Sequence, residues 1–199
     1  MPGRLIVVEG LDGVGKSTLS RGLAAALGAA LRTTPSEALR AHRAPFDAAY
    51  AELPAASQLF YAATVVAAAA EADALRATGR DVLFDRYWCT TRAYARAAGS
   101  PLDLDEVEAI LPPADITLLV DLPEAERCRR LEVRGATAMD RASILRQAAL
   151  RRELLASLSR PVAGHGRVLD VSGLDPDAAV RAALDALDDA PMLFARLAG

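Results

Sequence analysis

The hydrophobic positions fall into short unbroken runs separated by longer stretches of helical periodicity. Leu5 to Glu9 is a β-branched apolar run ending at a glycine, the pattern of a buried strand. Leu19 to Leu27 carries apolar residues at helical spacing after a Ser-Thr start and before Gly28, which predicts a helix. A short second strand is expected over Ala30 to Thr33. Pro35, Pro45 and Pro54 then punctuate a helical or loop stretch. A long helix is expected from about Ala55 to Ala77, closed by Gly79. Asp81 to Phe84, Ile116 to Val120 and Arg167 to Val171 read as the third, fourth and fifth strands. Helices are expected over Cys89 to Ala98, in a short piece after Asp103, over Glu124 to Val133, over roughly Ala142 to Leu158, and over Pro176 to Leu187. The tail from Pro191 to Gly199 adds one turn or none.

Strands and helices alternate along the whole chain, and all five strand candidates read as apolar runs rather than as alternating ones. The fold class this predicts is α/β: a five-stranded parallel sheet with helices on both faces. Ligands of such folds bind at the carboxyl ends of the strands, where the strand order reverses. With 199 residues and no repeat, linker or low-complexity segment, one domain over 1–199 is expected.

Composition narrows the chemistry. A chain 52% hydrophobic and 25% charged builds an ordinary globular core without disulfides or a structural metal. A net charge of −3 excludes the broad basic face that a nucleic-acid polymer needs, but not a few arginines around a small phosphorylated substrate. Cys89 and Cys128 without clustered histidines make neither a zinc site nor a disulfide framework, and read as reduced thiols of a cytosolic protein. Leu5 to Val8 is too short for a signal-peptide core, and Ala62 to Ala70 is far shorter than a membrane span. A cytoplasmic location and no membrane partner are therefore expected. Of the 23 basic residues one is a lysine, Lys16, in a chain that otherwise uses arginine throughout.

That lysine stands in Gly10-Leu11-Asp12-Gly13-Val14-Gly15-Lys16-Ser17-Thr18, directly after the first strand and before the first helix. This is the phosphate-cradling G-x-x-x-x-G-K-[ST] pattern in its required context. Its glycines let successive backbone N–H groups turn toward one anion, and the helix adds its positive end. Lys16 is placed for the β- and γ-phosphates, and the Ser17 hydroxyl for Mg²⁺. ATP and Mg²⁺ are thus the expected cofactors, with Gly10, Asp12, Gly13, Val14, Gly15, Lys16, Ser17 and Thr18 around the nucleotide.

The stretch Ile6 to Thr18, with its Glu9-Gly10 start and its Asp12, resembles the opening of thymidylate kinases. Further blocks in the same order support the likeness: Leu59-Phe60; Asp85-Arg86-Tyr87 followed by Thr90-Thr91 and Ala93-Tyr94; Arg130 to Gly135 with Asp140-Arg141; and Asp170-Val171-Ser172. The resemblance spans most of the chain and implies a P-loop kinase with a short lid over about 134–142. It implies catalytic roles for Lys16, Arg86, Arg134, Arg141 and Asp12, and an ATP site that adds Arg130 and Ser172. It implies acceptor contacts from Asp12, Phe60, Thr64, Arg86, Thr91 and Tyr94, and Mg²⁺ held through Ser17 and Asp85. A homodimer built on helices beside the third strand, the alanine-rich Ala62 to Ala77 among them, follows from the same likeness.

Plainer readings stand beside these. Arg86 also suits a strand-end salt bridge, Phe60 a core position, and Arg129, Arg130, Arg134 and Arg141 solvated helix charges. Trp88, His42 and His165 read as structural or solvent-facing. Two departures from the family fall on the acceptor side. Thr64 stands where an arginine is usual, and Thr33-Thr34-Pro35-Ser36-Glu37 replaces an Arg-Glu-Pro-Gly-Gly segment. Arg40 or Arg43, on the next helix, is placed to restore a phosphate contact. The expected reaction converts a nucleoside monophosphate, dTMP or a related pyrimidine nucleotide, to its diphosphate. The alternatives are a nucleoside or small-alcohol kinase, which needs a carboxylate base such as Glu37, and a nucleotide-binding relative without turnover.

Overall fold

The structure, a computed structural model, describes residues 1–135 and 144–189. Five strands are found there: β1 (Leu5–Gly10), β2 (Ala30–Thr33), β3 (Val82–Asp85), β4 (Ile116–Asp121) and β5 (His165–Asp170). They form one parallel sheet in the order β2-β3-β1-β4-β5. Leu5 pairs with Val82 on one side, and Ile6 pairs with Ile116 on the other. Helices link the strands: α1 (Lys16–Leu27), α2 (Glu37–Ala49), α3 (Pro54–Ala77), α4 (Trp88–Ala97), α5 (Asp105–Ala109), α6 (Glu124–Arg134), α7 (Gln147–Ser157) and α8 (Pro176–Asp188). The expected α/β architecture is observed. The order reverses around β1, and the carboxyl ends of β1, β3 and β4 open there.

Alternation along β1 divides the core in two. Ile6 and Val8 point into a cluster with Leu19 and Leu23 of α1, Ala93 of α4, Leu150 and Leu154 of α7, and Ala179 and Ala183 of α8. Leu5 and Val7 point into a second cluster with Ala62, Val65, Ala68, Ala69 and Ala72 of α3, together with Trp88. Covered on both faces, β1 is buried throughout, as a continuous apolar run requires.

The edge strands depart from that expectation. β5 has one covered flank, so its residues are mostly exposed or half-buried and Leu169 alone among them is buried. β2 is buried only at Ala30. Ala62, Ala68, Ala69 and Ala72 are spent against this chain's own sheet, which leaves Leu59, Ala63, Ala67 and Ala70 outward. α2 continues through Pro45. The lid expected over 134–142 begins at the described Arg134 and Gly135, but Asp140 and Arg141 lie outside the described residues, as do Ala142, Ser143 and the tail from 190 onward.

Candidate active site

The loop between β1 and α1 turns on glycine. At Gly13 φ is +92°, and a Cβ there would stand 2.7 Å from Cγ of Leu131 on α6. Neither the dihedral nor the space admits a side chain without movement of the helix. The loop brings the start of α1 to the carboxyl edge of the sheet. Lys16 is buried, and its ammonium donates to the Leu11 carbonyl oxygen at 2.6 Å. Burial, followed by the charge of Arg86, depresses its pKa to about 7, against partial relief from Asp12 and Asp85. Ser17 and Thr18 are exposed on the cleft side of the helix start.

The end of β3 supplies the opposing wall. Arg86 follows the strand with φ +73°, a sparsely populated conformation for a side chain of this size. Its N–H donates to the Val8 carbonyl oxygen at 3.0 Å, which ties the turn to β1. Its guanidinium pairs with the Asp12 carboxylate and donates to Thr90 Oγ1 at 3.1 Å. The Tyr94 hydroxyl donates to the other Asp12 oxygen at 2.6 Å. Burial alone would raise the Asp12 pKa, but Arg86, Lys16 and the Tyr94 hydrogen bond outweigh it and hold the carboxyl well below its ordinary range. Burial likewise opposes the charge of Arg86, yet Asp12 keeps its pKa above the ordinary arginine value.

Glu9 fixes this wall from behind. It is fully buried, and its carboxylate accepts from Tyr87 N at 2.9 Å, Thr90 N at 3.2 Å and the Thr90 hydroxyl. These are the orphan donors of the first turn of α4, so β1 caps the helix that follows Arg86. Burial raises the Glu9 pKa, while those hydrogen bonds and Arg86 pull against it.

Between the walls lies a cleft of about 650 Å³. Its floor is Asp12 to Leu19 with Asp85 and Arg86. One side is Thr33, Thr34, Pro35, Arg40 and Arg43, and the other carries Arg130 and Arg134 from α6. Val171, Leu174, Asp175, Pro176 and Ala179, from the β5–α8 connection, close the far end. The cleft thus collects Asp12, Gly13, Val14, Gly15, Lys16, Ser17, Thr18, Asp85, Arg86, Arg130 and Arg134 of the expected site.

Other expected residues stand outside this lining. Thr64 is buried in α3, and its hydroxyl donates to the Tyr61 carbonyl oxygen at 2.8 Å. Thr91 is buried and its hydroxyl faces the Tyr87 carbonyl oxygen at 3.5 Å. Each hydroxyl is engaged within its own helix, and neither residue is in the lining of the cleft. Phe60 stacks on Phe46 of α2, centroids 4.1 Å apart and planes 19° from parallel, which joins α2 to α3. Ser172 closes a turn onto Asp170 through its N–H at 2.8 Å and its hydroxyl. Gly10 lies beneath the loop, where a Cβ would meet the Val120 carbonyl oxygen at 2.5 Å. Tyr94 reaches the cleft through Asp12. Trp88 is buried and donates to Glu108, as a structural tryptophan does.

The residues suit Mg²⁺, which takes few protein ligands and prefers hard oxygen donors beside phosphate and water. The Ser17 hydroxyl and the Asp85 carboxylate are such donors on the floor of the cleft. Among the described residues no cluster of three or more His, Cys, Asp or Glu suggests a softer metal.

Known proteins resemble this chain in sequence and in fold. The family model for thymidylate kinase matches residues 8–159. The thymidylate kinase of Xanthomonas euvesicatoria is 36% identical over 147 residues, covering 67% of this chain and 62% of that protein. That of Xylella fastidiosa is 34% identical over 152 residues, covering 68% of this chain and 66% of that protein. The chain thus matches less than two thirds of the length of these curated relatives. Among solved structures, the Candida albicans thymidylate kinase shares the fold with a TM-score of 0.77 at 22% identity, over 94% of this chain and 92% of that one. A deoxyadenosine kinase from M. mycoides shares it with a TM-score of 0.69 at 17% identity, over 92% and 98%.

Proposed function

The chain belongs to the thymidylate kinase family, and on that premise we propose that it transfers the γ-phosphoryl group of ATP to a nucleoside monophosphate. The acceptor proposed is dTMP or a related pyrimidine nucleotide, and the products are ADP and the nucleoside diphosphate. One observation supports the reading: the glycine-rich loop with Lys16 and the turn that carries Arg86 line one cleft. The loop is the proposed site for the donor phosphates, and Arg86 the proposed site for the acceptor phosphate.

An acceptor phosphate is already a nucleophile, so the protein must position, neutralise and exclude water. One acceptor oxygen bonds to the γ-phosphorus as the bond to the bridging oxygen of ADP breaks. Lys16 and the loop N–H groups hold the β- and γ-phosphates. Arg86 exchanges Asp12 for the acceptor phosphate, which its planar fork suits. Arg40 and Arg43 line the acceptor side from α2, and Arg130 and Arg134 stand on the donor side. The family likeness gives Arg134 and Arg141 the role of neutralising the transferring group. Phe60 and Tyr94 flank the acceptor. Mg²⁺, when bound through Ser17 with Asp85 near its water shell, neutralises charge on the phosphates.

A nucleoside kinase on the same scaffold, such as the deoxyadenosine kinase of M. mycoides that shares the fold, needs a base to deprotonate an alcohol. Asp12 is a poor one, since its pKa lies far below neutrality and both its oxygens are engaged. The chain is proposed to act as one domain and as a homodimer in the cytoplasm. Among the described residues no helix is long and apolar enough to cross a membrane. A monomeric mass by light scattering at working concentration overturns the dimer.

The test of function is ADP formation from ATP and Mg²⁺ against a panel of monophosphates and the matching nucleosides. Turnover with a pyrimidine monophosphate and none with the nucleosides supports the reading. The reverse preference assigns the scaffold to nucleoside phosphorylation.

A further inference from the structure

Arg127 lies on α6, one turn before Leu131, and is 1% exposed. A buried arginine is costly unless every donor is engaged. Here Nε and Nη2 donate to the two oxygens of Glu124 at 2.8 and 2.9 Å, and Nη1 donates to the Asp12 carbonyl oxygen at 2.9 Å. The contact with Asp12 is to its backbone, while the Asp12 carboxylate is held by Arg86 and Tyr94. Asp12 is therefore gripped from both sides: through its carbonyl by α6 and through its side chain by the acceptor wall. The next residue, Gly13, has no room for a Cβ between Leu131 and the Arg127 stem, which lie 2.7 and 3.2 Å from where it would stand. Helix and loop are thus in direct contact over two residues. The last turn of the same helix presents Arg130 and Arg134 to the cleft.

We infer that Arg127 is a positioning residue: by anchoring α6 to the Asp12 carbonyl it sets where Arg130 and Arg134 stand relative to the phosphate loop. It touches no substrate and acts through those two arginines. Glu124 presents both oxygens to the guanidinium and so aims its remaining donor at the loop. A helix released from this anchor pivots about the Leu131 contact and carries its terminal turn away from the nucleotide. Displacement of about 1 Å costs up to about a hundredfold in rate.

The inference rests on the proposed ATP-dependent transfer, and the test separates the two. R127M, R127K and E124Q are compared with the wild type where circular dichroism shows each to be folded. Two quantities are read: kcat and KM with the best monophosphate acceptor, and the Kd of a non-hydrolysable ATP analogue with Mg²⁺ by calorimetry. R127M is expected to lower kcat by about tenfold or more and to weaken the analogue about fivefold, with acceptor KM moving less than the analogue Kd. R127K, which keeps a donor for Asp12 but not the fork, falls between, and E124Q shows a smaller loss of the same kind. A folded R127M with wild-type kcat and Kd overturns the inference. If R127M does not fold, wild-type values in both R127K and E124Q overturn it. A wild type that phosphorylates no monophosphate overturns the activity instead, and the analogue Kd still reports on Arg127.

Discussion

Lys16, the proposed partner of the donor phosphates, is held close to neutrality in its titration. Its pKa in the free protein is about 7, against 10.5 for an ordinary lysine, because burial and Arg86 disfavour the ammonium. Between those values the folded protein binds fewer protons than the unfolded chain. Lys16 therefore costs the fold most below pH 7, and that cost is relieved as pH rises from 7 toward 10.5. Polyphosphate reverses the balance by favouring the charged form. Nucleotide binding should take up a proton at pH 8 and little or none at pH 6, which calorimetry in buffers of different ionisation enthalpy reads directly. At Arg86, replacement by alanine removes a charged hydrogen-bonding partner worth about 1.5–3 kcal/mol, so acceptor kcat/KM should fall about ten- to a hundredfold. Lysine should restore only part of it, since a single ammonium cannot reproduce the fork. Lys16 and Arg86 were both legible in the sequence because local patterns carry them. Glu9 and Arg127 were not legible as anchors. Their partners, Tyr87 and Asp12, are 78 and 115 residues away, and Arg127, a charged residue in a helix pattern, reads as solvated until the fold buries it.

At the scale of elements, the loop and α6 form one packed unit. Gly13→Ala should destabilise the protein by about 1–3 kcal/mol, measured by urea unfolding, because it combines a positive φ with a clash against Leu131. On the proposed function, α2 carries the acceptor side of the cleft with Arg40 and Arg43. Arg40→Ala and Arg43→Ala should each raise the acceptor KM by several fold, consistent with their place on the cleft wall. Thr64→Val should leave acceptor preference unchanged, since the hydroxyl already serves the Tyr61 carbonyl oxygen. A changed preference would return Thr64 to the binding site. Element boundaries followed the sequence closely where glycine ends a helix, as at Gly28 and Gly79. They drifted where tertiary context decides. α1 begins at Lys16 rather than Leu19 because the anion-binding loop turns straight into helix. β5 begins at His165 rather than Arg167 because pairing with β4, not hydrophobicity, sets its start.

For the whole molecule, parallel strand order brings sites far apart in the chain to one crevice. β1 delivers the phosphate loop, and β3 beside it delivers Arg86. The β5–α8 connection, with Val171, Leu174 and Pro176, lines an apolar end of the cleft, and α6 adds Arg130 and Arg134. On the proposed function, a site so built would bind donor and acceptor together and pass the phosphoryl group between them without exposing it to water. The most direct test follows ³¹P resonances of ATP and dTMP with Mg²⁺ and the protein. ADP and dTDP should grow in equal amounts, with no matching inorganic phosphate, and Lys16→Ala should abolish both. ADP accompanied by inorganic phosphate, or transfer that survives Lys16→Ala, would contradict the account.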